Sequence, residues 1–437
     1  MIRALYTALL LLLTPLAFLR LWLRGKANPD YRRRWGERLG FGPELPQRQR
    51  LWVHAVSVGE TVAAAPLVRA WQASHPGWAL LITTTTPTGS AQVRRLFGER
   101  VEHCYLPFDL PWLVGRFLRR TRPSLAIVME TEIWPNLYAA AQDLDLPLIM
   151  ANARLSDKSF QAYRRLRWLV GPTLRRVTLI AARGSEDAAR FVALGASAAR
   201  VEALGNLKFD IERSDQVVAA GQAWRDWLGR ERPVWIAAST HPGEEEQVLA
   251  AHKTLLGQQP QARLVLAPRH PERAAAVSAL VRAAGLQAWR RSELSAPGQA
   301  PEIGTAAPGD GSVLIVDTLG ELMNFYAASD IAFVGGSLAP NGGHNPLEPL
   351  VLDRPVFSGP QVFNFREVYA ELQALAAVTM VESAEALGQQ LIAALTGWPD
   401  PQPMRPSPAA QAWLRNSQGC TDKLLQKIAH LAEARDR

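Results

Sequence analysis

The chain has only two cysteines in 437 residues, Cys104 and Cys420, far apart and in no motif with a histidine. That excludes a disulfide framework and a cysteine-based zinc site, and it fits a reducing compartment. The eight histidines show no metal-ligand spacing with carboxylates or thiols. No Walker A sequence is present, and no Gly-x-Gly-x-x-Gly follows the first strand pattern, so ATPase and NAD-dependent readings lose support. Asp143-Leu144-Asp145 has the literal form that holds a sugar-nucleotide metal. It falls between a helical pattern and a strand pattern, however, and reads as a solvated turn. No metal and no cofactor is expected. There is also no tandem repeat of short period.

Charge is present but uneven. Residues 1–210 hold 29 Lys+Arg against 16 Asp+Glu, whereas the remainder holds 19 against 24. An excess confined to one half points that half at something anionic: nucleic acid, a membrane surface or a phosphorylated lipid. Ala4 to Leu19 contains no charged side chain and is rich in leucine. Its helical rise of about 24 Å is slightly short of a ~30 Å hydrocarbon core, a gap that snorkelling of Arg3 and Arg20 makes up. No small-x-small cleavage site follows, which favours an anchor over a cleaved signal. Arg20, Arg24, Lys26, Arg32, Arg33 and Arg34 crowd the C-terminal flank, so the positive-inside rule keeps the body in the cytoplasm.

From Leu51 onward short β-branched runs alternate with helical patterns, the rhythm of an open parallel α/β sheet. Strands are expected at Leu51–Val58, Ala79–Thr84, Leu125–Met129, Pro147–Ala151 and Thr178–Ala182, then at Pro233–Ala238, Arg263–Ala267, Val313–Val316, Ile331–Val334 and Pro355–Phe357. The division expected is an anchor at 1–24, a first Rossmann-like domain at 25–210, an interdomain connection at 211–232, a second such domain at 233–408 and a C-terminal helix at 409–437. Residues 292–311 read as a surface loop, and Pro399 to Pro408 as a proline-rich run. Two doubly wound domains facing each other bring their strand C-terminal ends to a shared cleft.

Polar groups gather at those strand ends. Glu60 follows the first strand at a helix start; the helix dipole alone would favour an acid there, and so would a ligand role. Glu130-Thr131-Glu132 closes another strand with two carboxylates on one face, suited to acid/base work or hydroxyl binding, or simply to a helix N-terminus. Lys208 offers a cation at the end of the first half. In the second half Ser239 and Thr240 precede an acidic first turn, as a cap or as phosphate ligands. Arg269 and Asp317 end two further strands. Val334 to Leu350, VGGSLAPNGGHNPLEPL, ends the next one. Its paired glycines, with Gly336 and Ser337 opening the loop, let backbone N–H groups approach an anion, and Glu348 suits a ribose diol. Four successive strand ends of this kind favour a nucleotide-sugar pocket over capping alone.

Several of these segments resemble the 3-deoxy-D-manno-octulosonic acid (Kdo) transferases of Gram-negative lipopolysaccharide synthesis. The resemblance rests on the N-terminal anchor, His54-Ala55-Val56-Ser57-Val58-Gly59-Glu60, Thr83-Thr84-Thr85-Thr86-Pro87-Thr88-Gly89, Glu130-Thr131-Glu132-Ile133-Trp134-Pro135-Asn136, Gly205-Asn206-Leu207-Lys208, Pro268-Arg269-His270-Pro271 and Gly343-His344-Asn345-Pro346-Leu347-Glu348-Pro349. It spans essentially the whole chain in order. It implies a GT-B glycosyltransferase fold and an inverting, metal-independent transfer from CMP-Kdo to the tetra-acylated lipid A precursor, lipid IVA. The reaction would sit at the cytoplasmic face of the inner membrane. The family's general base falls on Glu60, with Glu130 also catalytic. Substrate contacts are expected from Ser57, Gly59, Thr84, Glu132, Lys208, Ser239, Thr240, Arg269, His270, Asp317, Gly320, Glu321, Gly336, Ser337, Asn345 and Glu348. A UDP-sugar transferase or epimerase shares the architecture, but the anchor and the Glu60 and Glu130-Thr131-Glu132 motifs argue against it. Nucleic acid is not expected as a partner, because the arginines are scattered rather than set in a basic stripe with interleaved aromatics.

Overall fold

The computed structural model describes residues 2–436 apart from 27, 212, 296–298, 302–308, 397 and 399–405. It divides into two compact units, residues 1–210 with 417–437 and residues 211–416. In the first unit β1 (Arg50–His54), β2 (Ala79–Thr84), β3 (Glu102–Tyr105), β4 (Leu125–Met129), β5 (Leu148–Ala153), β6 (Leu179–Ala182) and β7 (Val201–Ala203) form a parallel sheet in the order β3-β2-β1-β4-β5-β6-β7. In the second, β8 (Val234–Thr240), β9 (Arg263–Pro268), β10 (Ala288–Arg290), β11 (Val313–Ile315), β12 (Ile331–Val334), β13 (Val356–Ser358) and β14 (Thr379–Met380) take the order β10-β11-β9-β8-β12-β13-β14.

Each sheet is covered on both faces, because alternate residues of its central strands enter different cores. Leu51 and Val53 pack into one cluster with Leu125, Ile127 and Met129, while Trp52 packs into the opposite one with Ala126 and Val128. In the second unit Trp235 and Ala237 face one way, and Val234, Ile236 and Ala238 the other. Strand order reverses between β1 and β4 in the first sheet and between β8 and β12 in the second. At such a switch point neighbouring connections leave to opposite faces and open a crevice at the strand C-termini.

Two parts of the chain differ from expectation. The helix Asp215–Leu228, expected within a connection, lies in the second unit, where Trp224, Trp227 and Leu228 join the core around Ile236 and Phe325. The C-terminal segment is two helices, Pro408–Ser417 and Cys420–Asp436. They are separated at Gly419, which holds a φ of +80°. Asp210 accepts the N–H groups of Gly419, Cys420 and Thr421, capping the last helix. That helix returns to the first unit and buries Leu424 and Ile428 against Leu67, Val68 and Trp71. Finally, most of the proline-rich run (399–405) and parts of the 292–311 loop (296–298 and 302–308) lie outside the described residues.

Ile2–Arg24 is one continuous helix and, among the described residues, the one long and apolar enough to cross a membrane. Tyr6, Thr7, Leu10, Thr14, Ala17, Phe18 and Leu21 make a half-buried stripe at helical spacing. The opposite leucines, such as Leu5, Leu9, Leu12 and Leu16, are exposed. The stripe meets the first unit through Tyr6, whose hydroxyl donates to Asp109 at 3.0 Å, and through Phe18, 5.1 Å from Trp35 and 5.3 Å from Phe108 between ring centres.

In the second unit one carboxylate fixes the crevice. Ser239 adopts a φ of +58° at an irregularity in the β8–β9 pairing, and the chain then turns through His241 to Glu244, which has no exposed surface. Glu244 Oε2 accepts the N–H groups of Gly336 at 2.7 Å and His241 at 3.2 Å, and Oε1 accepts those of Ser337 at 3.0 Å and Leu338 at 2.9 Å. The loop after β12 is thereby tied to the turn after β8. Gly336 holds a φ of +68°, and a Cβ there would lie 2.9 Å from the His344 ring. Glu244→Ala strands four donors, two of them buried, and is expected to cost about 3 kcal/mol, lowering the melting temperature by roughly 10 °C. Glu246→Ala, at an exposed neighbouring position, should move it by no more than about 2 °C. An unchanged melting point for Glu244→Ala would mean that water replaces the carboxylate at no cost.

Candidate active site

In the first unit the switch point collects three carboxylates. Glu60 lies in the first turn of the helix Val58–Ser74 with 8% of its surface exposed. Val56 N–H donates to its Oε2 at 2.8 Å and Ser57 Oγ to its Oε1 at 3.1 Å. Burial pushes its pKa up to about 7, the two donors oppose that, and the nearby charges of Glu130 and Glu132 raise it further. Glu130 sits at the end of β4 with a φ of +55°, and Lys208 Nζ lies 3.4 Å from its Oε1. Trp134 Nε1 donates to Glu132 Oε2 at 2.7 Å, while burial first and the charge of Glu130 next raise the Glu132 pKa. Two carboxylates beside a buried third favour the protonated form of that third, so a proton can come and go near neutrality.

Lys208 is placed by two asparagines, Asn206 of the Gly205-Asn206-Leu207-Lys208 run and Asn152, which sequence reasoning did not single out. Leu207 N–H donates to Asn152 Oδ1 and Lys208 N–H to Asn206 Oδ1, both at 3.1 Å, which fixes the short 3-10 turn Leu207–Phe209. Gly59 is exposed at the helix start. Thr84 is fully buried, its hydroxyl 3.1 Å from His103 Nε2, and so belongs to the scaffold of β2.

In the second unit the switch point carries histidines. His241 Nε2 and His344 Nε2 are 2.9 Å apart, with parallel rings, and the His270 ring centre lies 6.0 Å from that of His241. Burial, followed by the charge of Arg269, lowers the His344 pKa to about 4; burial and then His270 lower that of His241. Both rings are therefore neutral at pH 7, and one N–H lies between them. Glu348 is partly open to solvent, yet the atoms packed around its carboxylate push its pKa up to about 7 against the opposing influence of Arg269 and a hydrogen bond from Asn345. Asn345 Oδ1 also accepts Leu347 N–H at 3.2 Å. Arg269, His241, His344, Asn345 and Glu348 thus form one polar cluster.

Other expected ligand groups are engaged inside the unit. The N–H groups of Gly336 and Ser337 were expected at a donor phosphate, but they are taken by Glu244. Ser337 Oγ donates to Val334 O and accepts Gly359 N–H. Asp317 is nearly buried beside Arg290 at 2.8 Å and accepts from Ser292 N–H and Oγ; burial opposes its charge, but these partners lower its pKa on balance. Glu321 is buried against Arg291 at 2.8 Å and takes the Thr318 hydroxyl. Thr240 is buried, its hydroxyl 3.3 Å from Glu245, which in turn pairs with Arg273. Ser239 carries the backbone turn, Gly320 holds a φ of +86° in open space, and His270 is exposed, 3.6 Å from Glu272. The missed group, Glu244, sits in the run Glu244-Glu245-Glu246, which reads as an ordinary acidic first turn; two of the three are wholly buried.

The family described as 3-Deoxy-D-manno-octulosonic-acid transferase (kdotransferase) matches residues 33–211. The 3-deoxy-D-manno-octulosonic acid transferase of Haemophilus influenzae is 41% identical over 396 residues, covering 90% of each chain. The protein of that description from Bordetella pertussis is 36% identical over 444 residues, covering 98% of each. Among solved structures, MurG of Acinetobacter baumannii has a TM-score of 0.52 at 11% identity and covers 88% of this chain and 100% of that one, a likeness of fold alone. Two doubly wound α/β units of GT-B type, and relatives so similar over nearly the whole length, lead to one conclusion: the chain belongs to the Kdo transferase family and is a glycosyltransferase.

Proposed function

We propose that this Kdo transferase moves Kdo from CMP-Kdo to lipid IVA, with inversion, at the cytoplasmic face of the inner membrane, where the helix Ile2–Arg24 anchors it. The observation that carries the reading is Glu60: a buried carboxylate at a switch point, with a pKa near 7, beside Glu130 and Glu132. In a single displacement the acceptor hydroxyl oxygen bonds to the anomeric carbon of Kdo. The bond from that carbon to the phosphate oxygen breaks, CMP departs with the electron pair, and Glu60 takes the hydroxyl proton. Glu130 holds Lys208, whose charge balances the acidic cluster. In the second unit Arg269 meets the CMP phosphate, where charge develops as the bond breaks, and Glu348 with Asn345 holds the ribose hydroxyls. Support for the membrane face comes from the exposed leucines of the first helix, the basic flank from Arg20 to Arg34 and the cationic first half.

With Glu60 as base, kcat/KM rises with pH to a plateau through an apparent pKa near 7, and Glu60→Gln lowers it by about 10²–10⁴-fold. Turnover within a few-fold of wild type would remove the assignment. The sign for stability is opposite. The folded pKa lies above the ordinary value of 4.5, so the stabilising contribution of the protonated group is complete below that value and lost as pH rises through 7. Glu60→Gln should therefore melt above wild type at pH 8, by no more than about 3 kcal/mol, and match it below pH 5.

Donor binding is read by calorimetry: Glu348→Ala should weaken CMP-Kdo about tenfold or more, and CMP should bind the wild type where UDP does not. Unchanged donor affinity in the variant would dismiss the ribose role. Thorough chelation should leave full activity, whereas a strict Mg²⁺ requirement would overturn the metal-free mechanism. Mass spectrometry of the product from CMP-Kdo and lipid IVA tests donor and acceptor together and counts the sugars added.

A further inference from the structure

The first unit has a second polar feature, separate from its acidic cluster. Beside the start of the N-terminal helix lies a pocket of about 500 Å³, in the size range of small-ligand sites. Ile2, Pro135, Trp168, Leu169 and Pro172 give it apolar walls, and Arg3 and Arg176 supply two cations. Among the described residues neither arginine forms an ion pair. Arg176 donates from Nη1 to Pro172 O at 2.6 Å, and its Nε is buried without a partner. Burial first, then the charge of Arg3, lowers its pKa; Asp143 is the acid that opposes this, and Arg175 adds to the repulsion. Two cations that disfavour each other over an apolar floor are relieved by an anion carrying a hydrocarbon tail.

The pocket also has an address. Pro135 opens the helix Pro135–Asp143 immediately after Glu132-Ile133-Trp134. Asp109 caps that helix, accepting Asn136 N–H at 3.0 Å and Leu137 N–H at 2.7 Å, and the same carboxylate accepts the Tyr6 hydroxyl. Asn136 Nδ2 donates to Thr7 Oγ1 at 3.0 Å. The start of the membrane-anchor helix is therefore bonded to the helix that directly follows Glu130 and Glu132 at the C-terminal end of β4.

We propose that this pocket is an acceptor subsite, in which a phosphate of the glycolipid lies between Arg3 and Arg176 and the first carbons of an acyl chain run along Ile2, Trp168, Leu169 and Pro172. The subsite rests on the acceptor reading above. The phosphate fixes the glycolipid by charge and the walls select an acylated molecule, so the sugar hydroxyl is presented toward Glu60 while the chains stay in the leaflet.

The test uses the full chain and two vesicle types: phosphatidylcholine with a few per cent lipid IVA, and phosphatidylcholine with phosphatidylglycerol at matched charge. Wild type should bind the first about tenfold more tightly, the size of one charge-assisted contact. The double variant Arg3→Gln/Arg176→Gln should lose that preference while keeping its affinity for the phosphatidylglycerol vesicles. Its KM for lipid IVA should rise about tenfold with little change in kcat or in the KM for CMP-Kdo. Leu169→Trp, which fills the pocket and keeps both cations, should lose the preference for lipid IVA but not for its deacylated form. A preserved preference in the double variant, or an equal loss on both vesicle types, overturns the subsite; the latter would assign the arginines to bilayer phospholipid. If wild type prefers lipid IVA vesicles but transfers no Kdo to that lipid, the acceptor reading fails while the subsite stands.

Discussion

A parallel sheet ends each strand in a turn whose N–H groups have no ladder partner, and in this chain carboxylates supply several of the missing acceptors. Glu244 takes four such donors, Asp210 takes three at the start of the last helix, and Asp109 takes two together with a tyrosine hydroxyl. Glu60 belongs to the same class but is served by one N–H and one serine hydroxyl. A carboxylate with four donors is tied into the scaffold. One with two donors, buried and facing two further acids, exchanges its proton near neutrality.

The same accounting explains what the sequence could and could not disclose. Every interior strand of both sheets was legible, because burial on two faces makes a continuous apolar run: Ala79–Thr84, Leu125–Met129 and Ile331–Val334 were placed to the residue. The four strands that were not anticipated, β3, β7, β10 and β14, are the four sheet edges. Their residues are mixed or half-exposed, as in Val201–Ala203 and Ala288–Arg290, so neither a run nor a clean alternation appears. The C-terminal helix pair was obscured for a related reason. Its break depends on Asp210, more than two hundred positions earlier, and no local pattern contains that acid.

Candidate ligand groups were legible as positions but less so as roles. Parallel topology obliges residues such as Glu60, Glu130, Arg269 and Glu348 to gather near strand C-termini, and periodicity suffices to say so. Whether a polar group there is spare depends on what it meets in space. The Gly335-Gly336-Ser337 turn has the form of an anion nest and does hold an anion, but that anion is Glu244, 92 residues away in the chain from Gly336. Asp317 and Glu321 likewise answer to Arg290 and Arg291. The side chains gathered beside the second switch point are Arg269, Glu348 and the neutral His241–His344 pair, which moves the emphasis of that crevice from backbone dipoles to side chains.

That shift bears on what the architecture leaves to individual side chains. MurG shares the fold at 11% identity, a likeness of scaffold alone. The scaffold fixes where the switch points fall and which strands end there. Burial then sets the pKa values of the few side chains gathered there: a carboxylate near 7 in one unit, and in the other a neutral histidine pair beside an arginine and a second carboxylate near 7. Glu244 illustrates the consequence. Because it satisfies the β12 loop from within, that loop needs no ligand anion to hold its shape.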